Sequence, residues 1–186
     1  MNTQYCLGVT RSLKDIGWLS VDLAGAPDVQ CDFAHLTLPE PASVLVASHV
    51  LEHIPQRGRG EDRVRRTIEI LTCWHSQMQP DAALIVCVPD GDLVTRLMIE
   101  RPHNYWSLSN TEFRDILGLI YGGNQDDLNR HYMLFNQSCL SWCLAQAGFI
   151  EIERIPPERD LWPGLPRTLN TAAHDLRSLN LVAFVA

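Results

Sequence analysis

The residues whose types and spacing could do chemistry most directly are His49, Glu52 and His53, in the stretch SHVLEHIPQ. Imidazole lone pairs bind divalent metals, and H-x-x-E-H is the order of an inverted zinc-peptidase helix. Such a site needs both histidines on one helical face and a third ligand from elsewhere. The surroundings argue against it. The apolar run SVLVA abuts Ser48, and Pro55 closes the segment just after His53. A helix here would be about one turn long, a poor support for two ligands. The expectation is a strand-to-loop rim with no bound metal. A histidine pair that only packs and hydrogen-bonds is the plainer alternative.

Other polar residues stand where apolar runs end. Asp22 ends WLSVD, Asp32 and Phe33 end PDVQCDF, Ser48 and His49 follow SVLVA, and Asp90 follows ALIVCVP. A carboxylate after a second strand can accept both hydroxyls of a ribose. A carboxylate beside an aromatic suits an adenine, accepting from its amine while the ring covers its face. Taken singly, an aspartate after a strand is more often a turn or helix cap than a ligand. Their order along the chain is stronger evidence than any one of them.

The elements that must position these residues alternate. QYCLGV, GWLSVDLA, ASVLVAS, AALIVCVP, FIEIERI and SLNLVAFVA read as strands, the central ones apolar enough to be buried on both faces. EDRVRRTIEILTCWHSQM places Val64, Ile68, Leu71 and Trp74 near helical spacing, and Gln79-Pro80-Asp81 is expected to stop it. Residues 92–101 and 111–120 read as helical. NQSCLSWCLAQAGF is a further helix, closed by Gly148. YGGNQDDLNRHY is a polar loop with paired glycines, and PPERDLWPGLPR is a proline-rich loop between the last two strands. Strands alternating with helices imply a mostly parallel α/β sheet, whose ligands bind beyond the carboxyl ends of its strands. No repeat or linker divides residues 1–186, so a single domain is expected.

Composition narrows the function classes. Hydrophobic residues make up 46% and charged residues 20%, as in a soluble globular domain. No apolar run approaches the roughly 18 residues of a membrane helix, and MNTQYCLGV carries no signal-peptide pattern, so a cytoplasmic protein is expected. The formal charge of −7 disfavours nucleic acid as a partner. Arg57, Arg59, Arg63, Arg65 and Arg66 form a local basic run, read as a solvated loop and helix start or as a grip on an anion. The six cysteines are scattered, with Cys139 and Cys143 one helical turn apart, and read as free thiols in a reducing compartment. Oligomeric state is not legible, and a homodimer stays open.

The order YCLGV, GWLSVDL, APDVQCDF, SVLVASHVLEHIPQ, LTCWHSQMQPDAALIVCVPD resembles the class I methyltransferases that use S-adenosylmethionine, in particular short predicted members with a SHVLEH motif. YGGNQDDLNRHYMLF and LAQAGF also resemble that subfamily, so the likeness spans nearly the whole chain. It implies a Rossmann-like three-layer sandwich, mostly parallel with an antiparallel C-terminal strand. It further implies S-adenosylmethionine as cofactor and methyl transfer to an oxygen or nitrogen of a small-molecule acceptor, with glycans or secondary metabolites as the usual setting. By resemblance Asp22 binds the ribose, Asp32 and Phe33 the adenine, and Gly8, Ser48 and His49 line the pocket near the methionine part. His53, His131 and Asp90 face the substrate, and His131 and His53 are the histidines able to act as base.

The first loop departs from the pattern. It reads LGVTRS where the family reads L-G-C-G, so Gly8 remains but Val9 and Thr10 add side chains. The helix that should follow is nearly absent, since Trp18 already opens the next apolar run. These features favour the alternative: a degenerate methyltransferase-fold module that binds or regulates without catalysis.

Overall fold

Extended segments pair into one seven-stranded sheet: β1 (Gln4–Leu7), β2 (Leu19–Asp22), β3 (Val29–Gln30), β4 (Ala42–Ser48), β5 (Met78–Pro89), β6 (Ile150–Arg154) and β7 (Ser178–Phe184). The computed structural model describes residues 3–9, 11–55, 58–100, 111–123, 129–157, 159–165 and 177–186, with backbone alone for 111–115. Its helices are α1 (Gly60–Ser76), α2 (Gly91–Glu100), α3 (Thr111–Tyr121) and α4 (Gln137–Gln146). No described helix is long and apolar enough to cross a membrane.

The spatial order is β3-β2-β1-β4-β5-β7-β6, with β1 to β5 parallel and β7 antiparallel to both its neighbours. The chain steps outward from β1 to β3, then returns past β1 to β4. That reversal opens a crevice at the carboxyl ends of β1 and β4. The mostly parallel sheet with an antiparallel C-terminal strand is as the sequence leads one to expect.

Side chains alternate between two cores. On one face Tyr5, Leu7, Leu45, Leu84 and Val86 pack against Ile70, Leu71 and Trp74 of α1 and Leu140 and Leu144 of α4. On the other, Cys6, Val44, Val46, Ile85 and Cys87 are covered by Leu13 and Trp18, by Ile155 after β6, and by Leu161 and Leu165 of the proline-rich loop. Among the described residues this second cover contains only a one-turn 3₁₀ helix, Lys14–Ile16, ended by Gly17 in the left-handed region (φ 78°). All six cysteines are free.

One buried carboxylate holds this abbreviated cover in place. Asp28, before β3, accepts from the backbone N–H groups of Leu13 and Ser20 at 2.9 Å each and from the hydroxyls of Ser12 and Ser20. Ser20 Oγ in turn accepts from Asp28 N–H at 2.9 Å. The loop after β1, strand β2 and the turn into β3 are thereby tied to one side chain. Burial alone would raise the Asp28 pKa, but the four donors outweigh it and hold the carboxyl well below the usual range.

The stop expected at Gln79-Pro80-Asp81 is instead the irregular start of β5. Asp81 takes positive φ (59°), and the register with β4 shifts between Ala42 and Val44. Helix α1 already ends at Ser76, so Pro80 enters at the ragged end of a strand, where a missing N–H is tolerated. The far edge is blunted too. Strand β6 carries exposed Glu151, Glu153 and Arg154, takes positive φ at Glu151 (49°), and shifts register against β7.

Asp28→Asn should cost about 1.5–3 kcal/mol of stability in urea unfolding, the range for hydrogen bonds to a charged group. Because the folded pKa of Asp28 is depressed, its contribution is complete above about pH 4 and falls away as pH drops toward the folded value. The wild type should therefore lose stability over that acid range more steeply than Asp28→Asn. Parallel acid profiles would show that Asp28 does not carry this load.

Candidate functional site

The crevice at the ends of β1, β2 and β4 is a cavity of about 550 Å³, within the roughly 300–1,000 Å³ of small-molecule sites. Gly8, Asp22, Asp32, Phe33, His49 and His53 all line it, although they come from four separate segments of the chain. Ala24 and Pro55 also line it, as do Leu23, Val50, Ile54 and Asn129, and sequence reasoning singled out none of these last four. Leu23 follows Asp22 in the sequence, but what marks it is its 52% exposure, a large apolar side chain left beside a carboxylate, which only the fold reveals.

Each lining residue has a local reason for its place. Gly8 takes φ 79°, its N–H donates to Val21 O at 2.9 Å, and a Cβ there would meet Val50 Cγ2 at 2.7 Å. Backbone therefore borders the cavity where a side chain could not. Val9 turns the other way and packs with the second core, so it does not fill the cavity. Thr10 lies outside the described residues. Asp22 Oδ1 accepts from Ala24 N–H at 3.0 Å, which caps the turn and leaves Oδ2 without a described partner. Asp32 caps its own 3₁₀ turn through Ala34 N–H at 2.9 Å and meets His35 Nδ1 at 3.2 Å. Trp74 Nε1 donates to Phe33 O at 2.7 Å, so α1 fixes the segment that carries the ring.

The SHVLEH segment leaves β4 at Ser48, turns through His49 in the left-handed region (φ 53°), and forms a 3₁₀ turn over Leu51–His53. It is a strand-to-loop rim and not a zinc-peptidase helix. His49 lies between Glu52 and Ser178, with Nδ1 3.0 Å from Glu52 Oε1 and Nε2 2.9 Å from Ser178 Oγ. With Glu52 ionised, Nδ1–H donates to it and Nε2 accepts from the hydroxyl. A serine, a histidine and an acid in line can form a nucleophilic triad. Here Ser178 is buried in β7 and borders no described cavity wall, so the line serves to lock His49.

His131 reaches the rim from the loop after α3. Tyr132 N–H donates to Glu52 O at 2.8 Å, and His131 N–H to Tyr121 O at 3.1 Å. Gly122 (φ 69°) makes this possible, since a Cβ there would strike Asn129 O and the His131 ring. The His53 and His131 rings meet edge to face with centroids 4.6 Å apart. Burial lowers the His53 pKa, opposed by the Glu52 charge and aided by His131.

Two expected residues stand elsewhere. Ser48 pairs with Cys87 across the sheet and is not part of the cavity lining. Asp90 does not face the cavity: it is buried, its Oδ1 caps α2 through Asp92 and Leu93 N–H, and its Oδ2 accepts from Arg154 at 2.8 Å. A carboxylate directly before a helix served the helix. In the basic run Arg65 pairs with Asp62 and Arg66 with Glu69, while Arg63 donates to Gly58 O and Tyr132 O. Arg57 lies outside the described residues. These are contacts of a solvated helix start.

The sequence matches no protein-family model and no curated protein. Solved structures share its fold at low identity. The S-adenosylmethionine-dependent methyltransferase SibL, in its apo form, aligns over 99% of this chain and 50% of its own, with 9% identity and a TM-score of 0.56. A SAM-dependent methyltransferase from Archaeoglobus fulgidus aligns over 98% and 86%, with 12% identity and a TM-score of 0.52. The 1,6-didemethyltoxoflavin-N1-methyltransferase of Burkholderia thailandensis aligns over 100% and 72%, with 17% identity and a TM-score of 0.52. The fold is that of the SAM-dependent methyltransferases. The chain spans about half of SibL's own length.

Gly8→Ala should lower stability by about 1–3 kcal/mol, from positive φ and the Val50 contact together. Adding Val50→Ala should recover the steric part and leave the conformational part. Thermal unfolding of the three variants measures both. A neutral Gly8→Ala would show that the loop does not need its present path.

Proposed function

We propose that this chain binds S-adenosylmethionine in the crevice between β1, β2 and β4 and promotes methyl transfer to an oxygen or nitrogen of a small molecule. One observation carries the reading. Gly8, Asp22, Asp32, Phe33 and His49, scattered in sequence, meet in one cavity at the point where the strand order reverses. The residues fit the cofactor. The bare backbone at Gly8 admits close approach, the second oxygen of Asp22 can accept ribose hydroxyls, and Phe33 with Leu23, Val50 and Ile54 offers an apolar slot for a purine. Asp32 holds the turn that presents Phe33, and its exposed carboxylate keeps lone pairs that can accept from an adenine amine.

When bound, the cofactor supplies an electrophilic methyl carbon on a sulfonium. The chain's own work is alignment and exclusion of water. A hydroxyl acceptor also needs its proton taken. His53 and His131 each donate Nδ1–H to a backbone carbonyl, Arg130 O and Leu119 O, which leaves Nε2 of each ring with its lone pair. The Burkholderia enzyme was solved with a small heterocycle and S-adenosylhomocysteine, and another neighbour of the fold is a mitomycin 7-O-methyltransferase. These support small acceptors, O- or N-linked. The binding-module alternative drew on Val9 and Thr10, and the packing of Val9 away from the cavity weakens it.

Calorimetric titration with S-adenosylmethionine and S-adenosylhomocysteine should show one site. Asp22→Ala should weaken it by about 1.5–3 kcal/mol, the worth of hydrogen bonds to a charged group. Unchanged affinity in a folded Asp22→Ala chain would remove Asp22 from the site. No binding of either compound at millimolar concentration would replace methyl transfer with the binding-module reading.

A further inference from the structure

At the cavity rim, three side chains leave atoms unused. Glu52 is fully buried, and while Oε1 faces His49, Oε2 has no hydrogen-bond partner. A buried carboxylate oxygen without a donor is costly, so it calls for a donor or a cation. His53 Nδ1–H donates to Arg130 O at 3.2 Å and His131 Nδ1–H to Leu119 O at 2.9 Å. Both rings are thereby fixed in the tautomer that presents Nε2 as a ligand, with the outer-shell hydrogen bond usual for metal-bound histidine. One nitrogen of each ring and one oxygen of Glu52 all lie within 4.8 Å of one another. That spread is wider than the roughly 3.4 Å between ligands of a tetrahedral ion with bonds of about 2.1 Å, so a bound cation would draw the three side chains together.

We propose that Glu52, His53 and His131 bind a divalent first-row transition-metal cation, with zinc the best fit. Two imidazoles and a carboxylate are the ligand set of catalytic zinc sites that keep a fourth position open, whereas magnesium and calcium favour all-oxygen shells. The set differs from the H-x-x-E-H pair weighed from the sequence. His49 is not a ligand here but holds Glu52 from outside, and the second histidine comes from the loop after α3. His53 also lines the cavity, so the site adjoins it. An acceptor hydroxyl in the open position would release its proton to solvent as the O–H bond breaks, the cation stabilising the oxyanion that remains. The histidine lone pairs then serve the cation and not the proton. This acceptor role rests on the methyl-transfer reading; the cation site does not.

The test uses the full chain, stripped with chelator, kept reduced, and titrated with Co²⁺ and then Zn²⁺ without cofactor. One equivalent of Co²⁺ should bind with visible ligand-field bands and no thiolate charge-transfer band, and Zn²⁺ should displace it. His131→Ala should weaken binding by more than the 10–100-fold typical of losing an outer-shell partner, and His49→Ala by about that range. Cys139→Ser should change nothing. His53→Ala is the second ligand variant, should His131→Ala not fold. Co²⁺ binding with thiolate bands, undiminished affinity in a folded ligand variant, or no binding at millimolar Co²⁺ would each overturn the site. One bound Co²⁺ in a chain that binds no S-adenosylhomocysteine supports the site and counts only against methyl transfer.

Discussion

The set of hydrogen bonds converging on Asp28 is the constraint on which the crevice depends. The first loop is too short for a helix, and without one the N-terminal half of the sheet would have little to anchor its cover. A single carboxylate, kept charged by four donors, ties Ser12 and Leu13 to Ser20 and so sets where β1 releases the chain and where β2 begins. Gly8 follows β1 directly, and Asp22 closes β2. Asp28 touches neither, yet it ties together the segment that joins them.

Glu52 has a comparable part on the other wall. It is buried where the rim turns, and its backbone carbonyl holds Tyr132 while its side chain holds His49. The loop after α3 is thereby stitched to the segment after β4, and the two histidines meet. A carboxyl group at full burial is costly unless paired, and His49 supplies a partner for one of its oxygens.

Much of this was legible in the sequence because it depends on local pattern. Apolar runs located every strand but the two-residue β3, and the residues that close such runs included Asp22, Asp32, Phe33 and His49. What escaped depends on contacts distant in sequence. Asp28 and Asp90 are both aspartates beside strands, yet one staples a loop and the other caps a helix and pairs with Arg154. Spacing cannot separate those uses from ligand binding. Val9 looked like an obstruction because its residue type was known but not its direction. Glu52 was visible as a letter in a motif, while its burial and its company with His131 arise only once distant segments close on each other.

The edge strand β6 has a further consequence, for assembly. Its exposed charges, its left-handed residue at Glu151 and its slipped register deny a neighbouring chain a straight row of donors and acceptors. Strand β3, with two residues, offers even less at the opposite edge. Continuous sheet addition is disfavoured at both ends. Any pairing of two copies must then be built from side chains on the helical or loop surfaces, where complementarity of shape selects the partner. This chain should accordingly resist the runaway polymerisation to which open parallel sheets are prone.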